Sequence, residues 1–135
     1  PEMRKSGGGH IIIVSSVTYN MVSPYAAVYA ASKAFVSSIA HSLRLELEDD
    51  NIRVTDMLVG RTESAFSQNR LGEAGYGEKA SSLPRMSAEE VATAIVKASK
   101  GNRKSVALRW LDRVIMLSNV FVPDIIGRRA MKQYR

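Results

Sequence analysis

The sequence predicts an α/β chain with parallel strands, and three observations carry that prediction. The run His10-Ile11-Ile12-Ile13-Val14 is short and rich in β-branched residues, and it is apolar throughout, like strands buried on both faces of a parallel sheet. A long stretch of helical composition, about residues 26 to 48, separates it from residues 52 to 59, which read as a second strand. A further helix and a short strand follow, and strand alternating with helix is the pattern of crossover connections between parallel strands. Three strands make a thin sheet. The first should have neighbours on both sides, so the chain is expected to be an incomplete sheet and part of a domain.

Residues 1 to 9 are polar and glycine-rich and read as the end of a preceding element and a loop. The first strand follows, then a loop of small and polar residues from Ser15 to Pro24. Ser23-Pro24 is a helix-opening pair, with serine as N-cap and proline at the first helical position. Along the long helix Phe35, Ile39, Leu43 and Leu47 recur every four residues on one side. Asp49, Asp50 and Asn51 end it. Gly60 breaks the second strand. Residues 61 to 85 form a polar connection whose length suits a functional lid or a disordered segment. Ser87 and Glu90 have capping-box spacing and open a helix that Gly101-Asn102 stops. Ser105 to Leu108 is the third strand. Trp110 to Val122 is a last apolar helical stretch, interrupted by Pro123 and followed by a basic tail.

Composition narrows the function classes. The chain has 135 residues, 45% hydrophobic and 24% charged, which is ordinary for one globular domain. It has no cysteine, so neither disulfides nor thiolate metal sites enter the account. That absence, with no apolar run near the roughly 18 residues of a membrane span, favours a cytoplasmic protein. The start at Pro1, polar and with no signal peptide, suggests a chain that begins partway through a longer one. The net charge of +6 is dispersed except in the tail, and no basic run is interleaved with aromatics, so no nucleic-acid partner is expected. His10 and His41 lack metal-ligand spacing. Glu46, Glu48, Asp49 and Asp50 read as a solvated helix end. No metal site is expected.

The chemistry centres on Tyr29-Ala30-Ala31-Ser32-Lys33. Tyrosine and lysine four apart on a helix share a face. A phenol with an ordinary pKa near 10 is a poor acid–base group at neutral pH, and a nearby ammonium favours its ionised form. The pair suits proton exchange, although such a spacing alone arises often by chance. Thirteen residues before Tyr29, Ser16 follows the first strand. A residue at the carboxyl end of a parallel strand faces the crevice where α/β proteins bind ligands. Its hydroxyl can donate to a substrate oxygen.

Gly9 to Ser16, then Tyr29 to Ala34, then Asn51-Ile52-Arg53-Val54-Thr55 followed by Gly60, resemble in order and spacing the second half of the short-chain dehydrogenase/reductase family, over about residues 5 to 108. The resemblance implies the C-terminal part of a Rossmann-like, doubly wound parallel sheet. It implies hydride transfer between NAD or NADP and an alcohol or carbonyl substrate. Tyr29 would be the acid–base group and also a cofactor-binding residue, and Ser16 the group that orients the substrate oxygen. Lys33 would tune the tyrosine and bind the nicotinamide ribose. Gly60, Thr62 and Ser64 match the turn beside the nicotinamide carboxamide, and residues 61 to 85 match the substrate lid. A homodimer or homotetramer through the long helix is implied too, and Ala30, Ala34 and Ser37 are small enough for close helix approach.

Two departures stand out. Val59 replaces the turn's usual proline, which removes a fixed φ but no reacting side chain. The family's glycine-rich pyrophosphate turn and a fourth catalytic residue, an asparagine, lie upstream of the serine strand, so the nucleotide-binding half is expected to be absent. Ser6-Gly7-Gly8-Gly9 does not supply that turn, since it precedes a strand instead of opening a helix. The residues that choose NAD or NADP belong to the same missing half. The competing reading is a truncated, catalytically inactive module that binds a partner chain or a membrane surface. For the tail, residues 110 to 135, a helix packed over the lid or subunit core is favoured over contact with a membrane surface.

Overall fold

The computed structural model describes residues 1–64 and 84–132. Three parallel strands lie in the order β1 (Gly9–Ser16), β2 (Ile52–Val59) and β3 (Ser105–Ala107). Ahead of them runs a single helical turn, α1 (Glu2–Lys5). The long helix α2 (Ala27–Glu46) connects β1 to β2. Helix α3 (Ala88–Ser99) leads to β3, and α4 (Trp110–Phe121) and α5 (Pro123–Met131) close the described chain.

Helices α2 and α3 lie on opposite faces of the sheet. Asp56 of β2 bonds Ser37 of α2, whereas its neighbour Thr55 bonds His10, whose other ring nitrogen meets the Ser99 carbonyl of α3 at 3.0 Å. Consecutive strand residues point to opposite faces, so the sheet is covered on both sides. This is the doubly wound arrangement that the resemblance implies.

The glycine run has a structural use. Gly8 has φ +139, and a Cβ there would come within 2.5 Å of the Asn51 carbonyl oxygen. Asn51 itself has φ 55, and its side chain donates to the Gly7 carbonyl at 3.0 Å. The exit of α2 and the entry of β1 are thus locked together, and only glycine fits at position 8.

Four sequence expectations are corrected. Ser15 and Ser16 belong to β1, because pairing with Leu58 and Val59 carries the strand two residues further. Ser23-Pro24 does not open α2. Tyr25 sits at φ 60, outside the right-handed helical path, and the Ser23 hydroxyl donates back to Met21. The helix starts after Ala26, with no side-chain cap. The face of α2 turned to the sheet carries Ala30, Ser37 and Ala40, so two of the small residues expected to meet a partner subunit are buried within this chain. Phe35 is instead 66% exposed. Finally, β1 is only half-buried and Val14 is exposed, because among the described residues only β2 pairs with it.

The capping box is present: Ser87 Oγ accepts from the Glu90 amide at 3.1 Å, and Glu90 accepts from the Ser87 amide at 2.7 Å. Most of the expected lid, residues 65–83, lies outside the described residues. Its two feet are described and joined. Glu63 N–H donates to Met86 O at 2.8 Å, and Met86 N–H to Arg61 O at 2.9 Å.

Candidate active site

Strands β1 and β2 end level with each other, because Ser16 is paired with Val59. Gly60 therefore leaves the sheet beside Ser16 at the carboxyl edge, the place where open α/β sheets bind ligands. Ser16 is buried at the start of a 3-10 turn, residues 17 to 20. Its Oγ accepts from the Thr18 amide at 3.3 Å and from the Thr18 hydroxyl at 3.0 Å. Both bonds use the oxygen as acceptor, which leaves the hydroxyl proton to be donated elsewhere.

Tyr29 and Lys33 lie one turn apart near the start of α2, both half-buried. Lys33 Nζ stands 5.8 Å from the centroid of the Tyr29 ring, within cation–π range. The ammonium is thus held over the ring face.

The sequence reading missed the group that ties these elements together. Asp56 of β2 is fully buried. Its carboxylate accepts hydrogen bonds from Ser15, next to Ser16 on β1, and from Ser37, one turn beyond Lys33 on α2. His41 Nε2 stands 3.7 Å away and bonds Ser105 Oγ of β3 at 3.1 Å. One buried carboxylate thereby fixes the strand that bears Ser16 against the helix that bears Tyr29 and Lys33. The available signal was an acidic residue, Asp56, in the middle of the second strand. Tyr19, in the same region, has its phenol pKa raised above the ordinary value, mainly by burial and secondarily by the Asp56 charge.

The turn after β2 is held from the other side. Arg109 forms a forked pair with buried Asp112, Nε to Oδ2 at 2.9 Å and an Nη to Oδ1 at 2.8 Å. A Cβ on Gly60 would lie 2.6 Å from Asp112 and 2.9 Å from Arg109. Arg109 also donates to the Pro84 carbonyl at the foot of the 61–85 segment. Thr62 Oγ1 donates to Gly60 O at 3.2 Å, and Ser64 is exposed where the described segment ends. The structure therefore sets Ser16 beside the Gly60–Thr62 turn and Lys33 over Tyr29. Two open hollows, of about 360 and 420 Å³, flank this region, and neither is lined by Ser16, Tyr29 or Lys33. Among the described residues no group of three His, Asp or Glu side chains could hold a metal ion.

Comparison with known proteins finds relatives over most of the chain. Residues 1–74 match the family model described as short chain dehydrogenase. A dehydrogenase/reductase SDR family protein 7-like from Anopheles gambiae is 34% identical over 111 residues, covering 80% of this chain and 35% of that protein. An uncharacterized oxidoreductase of Staphylococcus saprophyticus is 31% identical over 109 residues, covering 81% of this chain and 45% of that protein. The crystal structure of a short chain dehydrogenase from Burkholderia cenocepacia, solved in complex with NADP, superposes with a TM-score of 0.72 at 25% identity, over 93% of this chain and 48% of that one. The chain thus spans between about a third and a half of the length of these relatives. With a serine at the strand end, a tyrosine–lysine helix beside it and a glycine turn at the same edge, all within or next to the matched segment, the chain belongs to the short-chain dehydrogenase family.

Proposed function

We propose that this chain supplies the catalytic half of a nicotinamide-dependent oxidoreductase acting on an alcohol/carbonyl pair, with NAD or NADP as cofactor. The observation that carries the reading is the carboxyl edge itself. Ser16 stands level with the Gly60 turn, and Asp56 ties its strand to the helix on which Lys33 covers Tyr29.

The residues present fit the nicotinamide end of such a cofactor. Lys33 offers ammonium donors to ribose hydroxyls. The Gly60–Thr62 backbone with the Thr62 hydroxyl, and Ser64 further on, offer polar groups to a carboxamide. When bound, the cofactor supplies or accepts the hydride. The protein handles the proton. Ser16 donates its hydrogen bond to the substrate oxygen and holds it in place. Tyr29 gives a proton to that oxygen in reduction and takes it back in oxidation. Lys33 keeps a positive charge beside the tyrosine during the exchange.

Two observations support the half-fold reading. The relatives are two to three times as long as the matched region, and β1 has no strand on its outer edge among the described residues. The exposed ridge of Val28, Phe35 and Ile39 on α2 supports a homodimer or homotetramer through that helix. The runner-up, an inactive module, would need only the surfaces and not the Ser16–Tyr29–Lys33 set.

The test is titration with NADH and NADPH followed by protein-enhanced nicotinamide fluorescence. The chain alone should show no saturable binding. The polypeptide that joins it to a nucleotide-binding half should saturate, and Lys33→Met should weaken that binding. Saturation by the chain alone would overturn the half-site reading, and an unchanged affinity in Lys33→Met would overturn the role given to Lys33.

A further inference from the structure

We propose that α4 and α5 form a docking surface for an anionic lipid bilayer. This surface lies outside the segment matched by the family model and plays no part in the chemistry proposed above. Helix α4 buries one face, Asp112, Met116 and Asn119. Its opposite face carries Trp110, Val114, Leu117 and Phe121, at spacings of four, three and four residues, so they form one ridge along the helix. Trp110 is 75% exposed, Leu117 63% and Phe121 81%. Single exposed apolar residues are ordinary on a protein surface, but a continuous ridge with aromatic groups at both ends marks an interaction site.

Charge selects the occupant. Helix α5 packs on α4 just past the break at Pro123. Its exposed side carries Ile125, Arg128, Arg129 and Lys132, again one helical face. None of the three cations has an ion-pair partner among the described residues. Aromatic and aliphatic residues beside an unpaired basic face are the signature of a helix lying in the bilayer interface, rings among the acyl chains and cations at anionic headgroups. No described helix is long and apolar enough to cross a membrane, which is in keeping with a surface contact.

The single tryptophan reports on this ridge directly. The whole chain is mixed with phosphatidylcholine vesicles, with and without phosphatidylglycerol, while Trp110 emission and co-sedimentation are followed. Vesicles containing phosphatidylglycerol should shift the emission to the blue and carry the protein down, and high salt should reverse both. Each cation near an anionic surface strengthens binding roughly fivefold, so Arg128→Gln with Arg129→Gln should weaken it roughly 25-fold. Those two side chains are exposed, so the variant keeps its fold. Leu117→Ser with Phe121→Ser should abolish the blue shift. Absence of binding, or equal and salt-insensitive binding to phosphatidylcholine alone, would overturn the proposal. So would a concentration-dependent blue shift without vesicles accompanied by a dimer on size exclusion, because a second copy would then cover the ridge.

Discussion

Replacing Ser37 with alanine tests the Asp56 anchor. The Asp56 carboxylate is fully buried, and its two hydroxyl donors are Ser15 and Ser37. Ser37→Ala removes one donor from a charged acceptor that has no access to water. Hydrogen bonds to charged groups contribute about 1.5–3 kcal/mol, and an abandoned buried acceptor loses that in full. The expected loss is therefore about 2 kcal/mol, or roughly 6–10 °C in Tm for a chain of this size. Urea denaturation and differential scanning calorimetry measure it. Ser38→Ala, one residue along on the exposed side, is the control and should change Tm by no more than a degree or two, since surface substitutions stay within about 0.5 kcal/mol. The same variant should also loosen the catalytic helix against β1, visible as faster amide exchange around Tyr29 and Lys33. Equal Tm values for Ser37→Ala and Ser38→Ala would refute the claim that Asp56 holds α2 to the sheet.

Two further outcomes follow from the packing. Gly60→Ala should destabilise by about 1–3 kcal/mol, the usual effect of overpacking, because its Cβ would press on Asp112 and Arg109. Asp112→Ala should cost less in that background than alone, and additive costs in the double-mutant cycle would contradict the contact. Tyr19 should titrate later than an ordinary tyrosine, as its raised pKa requires. A raised folded pKa means that the stabilisation is intact below the unfolded value near 10 and is lost as pH rises through the folded value. Alkaline absorbance titration should therefore lose a step that ionises later than an ordinary tyrosine in Tyr19→Phe, and stability should fall less steeply above pH 10. Loss of a phenol that ionises near the ordinary value of about 10 would contradict the burial described for Tyr19.

Local signals made much of this legible in the sequence. Strands β1 and β2, the capping box of α3 and the break at Pro123 follow from β-branched runs, Ser87–Glu90 spacing and proline chemistry, which depend on neighbours in the chain. The Ser16, Tyr29 and Lys33 positions were legible through the family resemblance of residues 9 to 16, 29 to 34 and 51 to 60, since the tyrosine–lysine spacing alone is common. Tertiary contacts were not legible. The start of α2 was misplaced because Tyr25 adopts a left-handed conformation that no local pattern announces. The sheet-facing side of α2 was hidden because its small residues, Ala30, Ser37 and Ala40, are the ones that allow close approach, while the larger Phe35 points outward. The Asp56 anchor joins residues 19 and 41 positions apart, and the Arg109 clamp on Gly60 depends on α4 folding back over the turn. Neither separation leaves a periodic trace.

The most direct test of the catalytic assignment is turnover by Tyr29→Phe. In the polypeptide that joins this chain to a nucleotide-binding half, consumption of NADH or NADPH at 340 nm is followed with a panel of ketones and aldehydes. Removing the phenol oxygen should lower kcat by about 10²–10⁴-fold, the usual contribution of general acid–base catalysis, with circular dichroism little changed. A Tyr29→Phe variant that reduces the same substrates at the parental rate would contradict the assignment.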